Sequence, residues 1–569
     1  MTRRLFVGLL VAVAGCRSSP TQAPTPAPTS PITFRDATQE LGITFTHHNG
    51  GFGEKYLPEI MGSGVALFDF DRDGWLDIYF VDSGQVPGAA HGEPRHGVLY
   101  HNEGGTKFTD VTAAMGLTDP LYGMGAAVGD VNNDGFPDLY LTAVGADRLY
   151  LNEGGKRFRD ATAEFALAND EWACPAAFLD YDGDGFLDLV VGNYVHWKSP
   201  ADHVQCEVVP GRRSYCGPDY HQATEVRLFH NDGGTHFSDR SAAAGVAGHR
   251  AKALGIVVFD ANRDGHSDFL VADDKIENLF FVNQGDGTFV ERALESGLAA
   301  SAEGMPRAGM GVAVSDFRRD GKWAIGITNF SNEGMAFFTQ DDAGHFTDRA
   351  AAAGLVPLTL AYLGFGALFT DADLDGWPDL IAVNGHIFDD VDQLFPGMTF
   401  AQRTLLFRNR RNGTFDEAGA GAGDFFTRPI VGRGLAVGDL NNDGRPDLVI
   451  TANNGAATVL LNTTAPANWL LVQCIGGRSN RSGYGTKIVA RVGDLTLREE
   501  VTGSGSYLSH SDDRVLLGLG RARRVDRLEV TWPSGQVDTF DKVDADRLLI
   551  IREGSATPDA RPPGASWAP

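Results

Sequence analysis

The sequence predicts an all-β protein, a seven-bladed β-propeller followed by a small β-sandwich domain. One nine-residue acidic motif occurs seven times, and strand-like segments flank each copy in the same order. Four short strands in a repeated unit are typical of propeller blades. Glycine accounts for 71 of the 569 residues, well above ordinary usage, which suits many tight turns between short strands.

Residues 1–16 have the features of an export signal. Arg3 and Arg4 precede an apolar run at 5–14 that is too short to span a bilayer. The segment Val-Ala-Gly-Cys at 13–16 resembles a bacterial lipobox, which predicts a signal peptide over 1–15 and a lipid on Cys16. An ordinary signal peptide followed by an incidental cysteine is the alternative. We therefore expect an exported protein, anchored by lipid to the bacterial cell envelope, at the outer membrane or the cell surface.

The segment 16–31 is rich in proline, threonine and serine. This composition predicts a disordered tether between the lipid and the folded part of the chain. No later stretch is apolar and long enough to span a bilayer, so the lipid is the only membrane contact we expect.

The motif D-x-[DN]-x-D-G-x-x-D defines the predicted propeller, residues 32–462. A strand of small residues precedes each copy, a second strand follows, and a third strand and a fourth segment after a glycine turn complete the unit. The six complete copies and the degenerate fifth copy occupy, in chain order, residues 69–77, 130–138, 180–188, 260–268, 316–324, 371–379 and 439–447.

The order of the segments predicts that the ring closes. The seventh unit stops at its third strand, residues 459–462, and its missing fourth segment occurs at the start of the region, residues 32–43. We expect the N-terminal strand to complete the last blade, because an open solenoid would not need this circular permutation.

The chemistry of the motif favours calcium. Asp or Asn at positions 1, 3 and 5, a main-chain carbonyl at position 7 and Asp at position 9 surround one point with oxygen ligands, which Ca²⁺ prefers. Position 12, a glutamate in EF-hands, is apolar in all six complete copies, so the loop joins strands rather than helices. The alternative is an aspartate–glycine hairpin that binds no metal.

We expect about six Ca²⁺ ions per chain, one in each complete loop. The predicted ligands are Asp69, Asp71, Asp73, Trp75, Asp77, Asp130, Asn132, Asp134, Phe136, Asp138, Asp180, Asp182, Asp184, Phe186, Asp188, Asp260, Asn262, Asp264, His266, Asp268, Asp371, Asp373, Asp375, Trp377, Asp379, Asp439, Asn441, Asp443, Arg445 and Asp447.

The fifth copy departs from the motif, since Arg318 and Ala324 replace two ligands. We expect the guanidinium of Arg318 to pair with Asp316 and Asp320. A fixed positive charge would then take the place of the metal.

The cysteines agree with export. Cys206 and Cys216 lie close together in a loop with proline, glycine and tyrosine, and we predict that they form a disulfide. A metal site there is the weaker alternative, because the chain has no CxxC and His203 alone does not complete a site. We expect Cys174 and Cys474 to be buried thiols.

Residues 467–553 are predicted to form a second β-domain. Segments such as WLLVQCIG, TKIVARVG and RLEVTW are short strands between glycine and polar turns, and no long helical period occurs among them. Residues 554–569 are rich in proline and alanine, and we expect a disordered tail.

Two parts of the chain resemble known families. Each repeat resembles the FG-GAP/VCBS repeat of integrin α-chain propellers. Residues 469–553 resemble the ASPIC/UnbV domain in NRSGYGTKIVARV (480–492), GSGSYLSHSDDRVLLGLG (503–520) and VDRLEVTWPSGQVDTF (525–540). Together they resemble the bacterial members of the cartilage acidic protein family. The resemblance implies a calcium-stabilised extracellular propeller and no particular activity.

Two classes of function remain after composition is considered. The 74 acidic and 48 basic residues give a net charge of −26, which excludes a nucleic-acid-binding role. The chain is then a binding or adhesion protein that presents a propeller face to a glycan or a protein, or an enzyme acting on an envelope or extracellular polysaccharide. Binding is favoured, because no GxSxG, HExxH or Walker motif occurs in a suitable context.

Two loops hold candidate ligand-binding residues, and no catalytic residue is assigned. The loops are 45–64 and 384–394, the second followed by residues 401–403, and they belong to the first and sixth units, which the ring should bring near each other. Their side chains suit acid–base or anion-binding roles, or alternatively cap strands and line the central channel. The candidates are His47, His48, Glu59, His386, Gln402 and Arg403.

Overall fold

Seven antiparallel four-stranded sheets form the part of the chain from 34 to 462 in the computed structural model, which describes residues 31–563. The predicted signal peptide, Cys16 and nearly all of the tether lie outside the described residues, as do residues 564–569. In the described part of the chain, no helix is long and apolar enough to cross a membrane. The all-β prediction is confirmed.

Each sheet is one blade with four strands in sequence order from the ring centre outward, except that the outer strand of the seventh blade comes from the N-terminal end of the region. The first strands are Val65–Phe68, Gly123–Gly129, Ala173–Leu179, Ala253–Phe259, Val312–Ser315, Gly364–Thr370 and Gly432–Gly438. The second strands are Asp77–Phe80, Asp138–Ala143, Asp188–Asn193, Asp268–Asp273, Ala324–Ile327, Asp379–Asn384 and Asp447–Ala452. The third strands are Val98–Asn102, Arg148–Asn152, Val226–Asn231, Leu279–Asn283, Ala336–Gln340, Leu405–Asn409 and Thr458–Asn462. The fourth strands are Phe108–Asp110, Phe158–Asp160, Phe237–Asp239, Phe289–Glu291, Phe346–Asp348, Phe415–Glu417 and, for the last blade, Phe34–Asp36.

The blades form a closed ring. Each first strand packs against the first strands of the two neighbouring blades, and the first strand of the seventh blade returns to that of the first. The N-terminal strand closes the last blade as predicted, because Phe34 pairs with Asn462 and Asp36 with Leu460. One sheet thus joins the two ends of the propeller region.

Three long insertions lie on one face of the ring. Residues 45–64 lead into the first blade, 199–221 lie between the second and third strands of the third blade, and 385–400 lie at the same place in the sixth blade. Because successive connections of an antiparallel blade alternate between its two ends, the acidic loops lie on the opposite face. We call the inserted segments the cap.

The cap and blade connections contain a short hairpin and the helices of the described chain. The hairpin strands are Cys206–Val209 and Arg212–Ser214. The α-helices are Ala293–Ser296, Val356–Thr359 and Val391–Leu394. The 3₁₀ helices are Leu57–Ile60, Pro200–Asp202, Pro218–Tyr220, Gly419–Gly421 and Asp424–Thr427.

The C-terminal domain contains two further four-stranded sheets, as the predicted β-sandwich requires. The first sheet has the order Val515–Gly520, Asn468–Ile475, Leu548–Arg552 and Asp559–Arg561. The second has the order Leu495–Glu500, Lys487–Val492, Arg524–Thr531 and Val537–Asp544. The expectation of a disordered tail was wrong for its first part, because Asp559–Arg561 pairs along Leu548–Arg552 and covers that strand's edge.

A loop of the C-terminal domain, residues 503–513, occupies the centre of the ring, and we call it the channel segment. Its backbone exchanges hydrogen bonds with the first strands of five blades, including both directions between Ser506 and Val312 at 2.6 and 3.0 Å. Leu508 O lies so close to the first blade that a Cβ on Gly64 would be 2.0 Å from it. Small residues on the inner strands therefore make room for the channel segment.

Acidic loops and the capped face

The six complete acidic loops share one backbone design. The amide of the glycine at position 6 donates to the first aspartate, as from Gly74 to Asp69 at 2.8 Å, and Gly74 has the positive φ of 92° that the motif predicts. The fourth position also has positive φ, although Arg72 and most of its counterparts are not glycine. This left-handed residue turns the loop so that its odd-numbered side chains point inward.

The ninth aspartate ties each loop to the sheet. Asp268 accepts hydrogen bonds from the amides of Ala261, at 3.0 Å, and Asn283, at 2.8 Å. The side chain of Asn283, the last residue of the third strand, then donates to Ser267 O in its own blade and to Tyr181 O in the preceding blade. The same bridge recurs at Asn102, Asn152, Asn231 and Asn409, and Asn462 makes the bond to the preceding blade.

The geometry of the loops fits a hard cation. In the first loop, carboxylate oxygens of Asp69, Asp71 and Asp77 lie within 4.8 Å of one another. The sixth loop has the same triplet, and in the third loop the first, third and fifth aspartates meet in this way. Burial and the neighbouring carboxylates raise the pKa of Asp69 to about 7, and burial raises that of Asp77 well above its usual range. A bound divalent cation would relieve this repulsion, and the all-oxygen donor set suits calcium.

Basic side chains also contact these loops, and four of the five lie outside the motif, which therefore did not reveal them. Five loops have such a contact: His101 with Asp71, His230 with Asp188, Lys487 with Asp260, Arg408 with Asp373, and Arg445 with Asp443. The carboxylates of Asp71 and Asp73, 3.1 and 3.5 Å from Nε2, raise the pKa of His101 to about 11. Part of the negative charge of the loops is therefore balanced by the protein itself.

The negative charge of the fifth loop is compensated in a different way from the one that the sequence predicted. Arg318 pairs with Asp320, with Nε 3.3 Å from Oδ2, but its predicted pairing with Asp316 is wrong. Asp316 is fully buried, accepts from the amide of Gly321, and lies 3.8 Å from Arg498 of the C-terminal domain. Within the loop, the positive charge of Arg319 opposes the rise that burial gives to the pKa of Asp316, so the compensation is partly local and partly from a residue distant in sequence.

The cap is held together by contacts among its three segments. The predicted disulfide between Cys206 and Cys216 is present, and Cys174 and Cys474 are free and buried as expected. Tyr215 Oη donates to Glu59 Oε2 at 2.9 Å.

Two further contacts join the cap segments. Lys55 Nζ lies 2.6 Å from Asp389 Oδ2. Arg212 pairs with Asp390 at 3.0 Å and donates to Gln393. The prediction that the loops of the first and sixth units lie together is thus confirmed, and the disulfide segment joins them.

Most of the candidate ligand-binding residues are tied into the fold. His47 is fully buried, with Nε2 3.0 Å from Ser83 Oγ and Nδ1 accepting from the amide of Asn454, and burial lowers its pKa to about 3. His48 pairs with Asp82 at 3.1 Å at the edge of the cap.

Glu59, Gln402 and Arg403 also have structural partners. Glu59 is 1% exposed and binds Tyr215. Gln402 Oε1 accepts from the amide of Leu363 at 2.9 Å, and Arg403 pairs with Glu417 at 2.8 Å. For these residues the alternative of strand and loop capping accounts for the contacts.

His386 has a different environment, because it lines a cavity of about 370 Å³ beneath the cap. The wall is mainly hydrophobic, with aromatic and methionine side chains from the blades and the cap. Its lining includes Tyr194, Tyr215, Phe330, Phe365, Phe388 and Met310. A mostly apolar concave site with few polar groups is typical of small-molecule pockets.

Arg433 is the residue of this face that sequence reasoning missed. It is fully buried, its guanidinium donates to the carbonyls of Ile60, Gly385 and Gly432, and it lies 3.8 Å from the centre of the Phe365 ring. No ion pair joins Arg433 to a carboxylate within residues 31–563, so a positive charge remains buried beside the cavity. The one sequence signal for Arg433 was its position as a large charged residue in a strand of small residues.

The fold and the loops agree with the families that the chain matches. Residues 476–558 match the family described as ASPIC and UnbV, residues 69–141 and 139–191 match an FG-GAP-like repeat, and residues 431–460 match an FG-GAP repeat.

Similar proteins include cartilage acidic protein 1 from Mus musculus, 27% identical over 307 residues, which are 52% of this chain and 44% of that protein. Integrin alpha-3 from Mus musculus is 28% identical over 160 residues, 25% of this chain and 14% of that protein. This chain thus matches less than half the length of either relative.

Among solved structures, a lectin of Agrocybe aegerita that recognises non-reducing terminal N-acetylglucosamine aligns with a TM-score of 0.36 and 15% identity, covering 67% of this chain and 93% of the lectin. The matched segments lie where the structure has its propeller blades and its C-terminal sheets. The chain combines FG-GAP repeats with an ASPIC and UnbV domain, and it is homologous to cartilage acidic protein 1 and to integrin alpha chains.

Proposed function

We propose that the chain is a calcium-stabilised, lipid-anchored protein of the bacterial cell envelope that binds a glycan or a protein with the cap side of its propeller. The FG-GAP propeller shared with integrin alpha chains suggests a binding or adhesion role. The observation that carries the proposal is the cap, in which three insertions converge on one face and present exposed aromatic side chains. These side chains are Phe52, Tyr220 and Phe395, which are 60%, 63% and 44% exposed.

The acidic loops support the calcium part of the proposal. They lie on the face opposite the cap and next to the C-terminal domain, so their ions would brace the scaffold and leave the cap free for a ligand. Extracellular calcium modules typically bind at about 10⁻⁴–10⁻³ M. Metal analysis of the purified chain, with about six ions expected, tests this part.

Ligand binding is tested with the full chain, free of added tag, on a glycan array and against purified envelope proteins. We expect saturable binding that is lost in Tyr220→Ser and kept in Arg410→Ser, because exposed Arg410 lies on the face of the acidic loops. If both variants lost ligand binding equally, the proposal that the ligand binds at the cap would be contradicted. Turnover of a polysaccharide at the cap would favour the enzyme alternative instead.

The lipid anchor is tested at Cys16. Cys16→Ala should abolish labelling with a radioactive fatty acid and release the protein from the membrane fraction. Labelling that persists in this variant would show that the lipid is elsewhere.

A further inference from the structure

The cavity beneath the cap contains one buried hydrogen-bond donor that no protein group uses. His386 is 1% exposed, and its Nδ1 accepts a hydrogen bond from the amide of Phe388 at 3.1 Å. A neutral imidazole that accepts at Nδ1 carries its proton on Nε2. Nε2 has no hydrogen-bond partner among the described residues, although it is buried.

An unpaired donor in this position is costly without a ligand. Leaving a buried donor unsatisfied costs about 1–3 kcal/mol. The imidazole is held in place by ring contacts with Phe330 and Phe388, each with centroids 5.4 Å away, so it cannot simply turn toward water. Burial lowers the pKa of His386 to about 4, which keeps the ring neutral at physiological pH.

Two tyrosine hydroxyls of the wall are already satisfied, and its charged side chains Glu207, Asp219 and Lys275 are exposed to solvent. Tyr194 Oη donates to Asp274 at 2.6 Å, and Tyr215 Oη donates to Glu59 at 2.9 Å. Arg433 uses its N–H groups on main-chain carbonyls, but its uncompensated charge lies next to Phe365 of the wall. The field near His386 therefore favours the electron-rich end of a ligand.

We infer that the cavity binds a small apolar molecule, built on an aromatic ring system, whose single hydrogen-bond acceptor pairs with Nε2–H of His386. The volume of about 370 Å³ lies within the range of small-molecule pockets. Phenyl and phenol rings in the wall offer edges and faces for stacking, and Met310 can adapt to the shape of the ligand. A carbonyl on an aromatic ring is the acceptor that best fits this arrangement.

A sugar does not fit the same wall. Each of its hydroxyl groups would need a partner, and burying several unpaired hydroxyls costs more than one hydrogen bond returns. The cavity opens toward the cap surface, because Tyr220 and Phe395 belong to both, and the inference concerns its inner part beside the buried His386. The inference stands if the proposed binding of a glycan or a protein at the cap fails, and it can fail while the cap surface still binds a macromolecule.

Fluorescence titration of the full chain in calcium-containing buffer tests the inference. The first probe is 6-propionyl-2-dimethylaminonaphthalene, an aryl ketone whose emission shifts to the blue in an apolar site. The matched probe is 2-dimethylaminonaphthalene, which has the rings but no carbonyl. We expect saturable binding of the ketone, about tenfold weaker binding of the matched probe, and no competition by N-acetylglucosamine.

Variants distinguish the effect of the His386 hydrogen bond from the effect of the volume of its side chain. His386→Phe should weaken the ketone about tenfold and leave the matched probe unchanged, whereas His386→Gln, which retains an N–H in a similar place, should restore part of the affinity. Leu254→Trp, in the cavity wall, should weaken both probes, and His48→Phe, outside the cavity, should change neither. The unfolding temperature of each variant checks that it is folded.

Several results would overturn the inference. Absence of ketone binding, equal binding of both probes, or unchanged ketone affinity in folded His386→Phe would show that the donor does not recognise a ligand. Competition by the sugar would show that the wall accepts a polar ligand, and the apolar assignment would then be wrong.

Discussion

The asparagine bridge between neighbouring blades gives a stability prediction that follows directly from the contacts. Asn283 is 1% exposed and joins the fourth blade to the third through Tyr181 O at 2.8 Å. It also donates to Ser267 O at 3.3 Å and accepts from the amide of Gly285 at 2.9 Å. Asn283→Ala would remove all three hydrogen bonds and leave their partners buried.

The expected cost follows from the number of bonds. A typical hydrogen bond contributes about 1 kcal/mol net, and orphaned buried partners add to this, so we expect a loss of about 2–4 kcal/mol in the free energy of unfolding. Asn283→Asp should be at least as harmful, because it has nearly the same shape but presents an acceptor to two carbonyl oxygens. Thermal and denaturant unfolding of the full chain in calcium measures both.

The neighbouring residue provides the control. Gln284 is exposed and of similar polarity, so Gln284→Ala should change the stability by no more than about 0.5 kcal/mol. The reasoning is refuted if Asn283→Ala and Gln284→Ala have the same free energy of unfolding, or if Asn283→Asp is as stable as the unaltered chain. The latter result would mean that the side chain only fills space.

Four further predictions concern the metal, the cap, the channel and pH. Chelation should lower the unfolding temperature, because each calcium site filled at 100 times its dissociation constant contributes about 2.7 kcal/mol to the free energy of unfolding. An unfolding temperature that chelator leaves unchanged in calorimetry would argue against bound calcium. Cys206→Ala with Cys216→Ala should cost about 2–3 kcal/mol at most and expose residues 199–221 to limited proteolysis, with the blades still resistant. Gly64→Ala should sharply reduce the yield of folded protein, because its Cβ would lie 2.0 Å from Leu508 O, whereas Gly217→Ala, with nothing within 4 Å of its Cβ, should fold normally. Partial burial raises the pKa of Glu553, but hydrogen bonds from Ser534 and three backbone amides outweigh it and lower the pKa from 4.5 to about 2. The stability that this carboxylate contributes is therefore full above pH 4.5 and is lost as the pH falls toward 2. Glu553→Gln should remove that part of the acid dependence of unfolding.

The repeat made most of the propeller predictable. A motif that recurs with its flanking strands determines a local structure at each copy, and the misplaced fourth segment at 32–43 indicated which strands meet when the ring closes. The disulfide was predictable because Cys206 and Cys216 lie close in sequence within one loop. These features depend on nearby residues or on repetition, which is what a single sequence shows best.

Features that depend on distant residues were not predictable. Arg498 faces Asp316, and Lys487 faces Asp260, because the C-terminal domain rests on the acidic loops, and no local pattern connects these positions. The third strand of the fifth blade ends in Gln340 rather than asparagine, yet its side chain still reaches Ala261 O in the preceding blade at 2.8 Å. A longer side chain preserves the bridge where the loop has lost its acidic ligands.

The channel segment explains why the two regions of the chain should behave as one folding unit. Tyr507 is fully buried at its tip, donates to Met61 O in the cap at 2.7 Å, and packs edge-on against Phe365 at 4.9 Å. The C-terminal domain thus reaches through the ring from the acidic loops to the wall of the cavity that contains His386. Loss of the domain would leave inner-strand amides and carbonyls of five blades without partners in a narrow channel, at a cost that the blades alone cannot recover. Folding of the propeller, order in the cap and the shape of the cavity should therefore depend on the same buried segment.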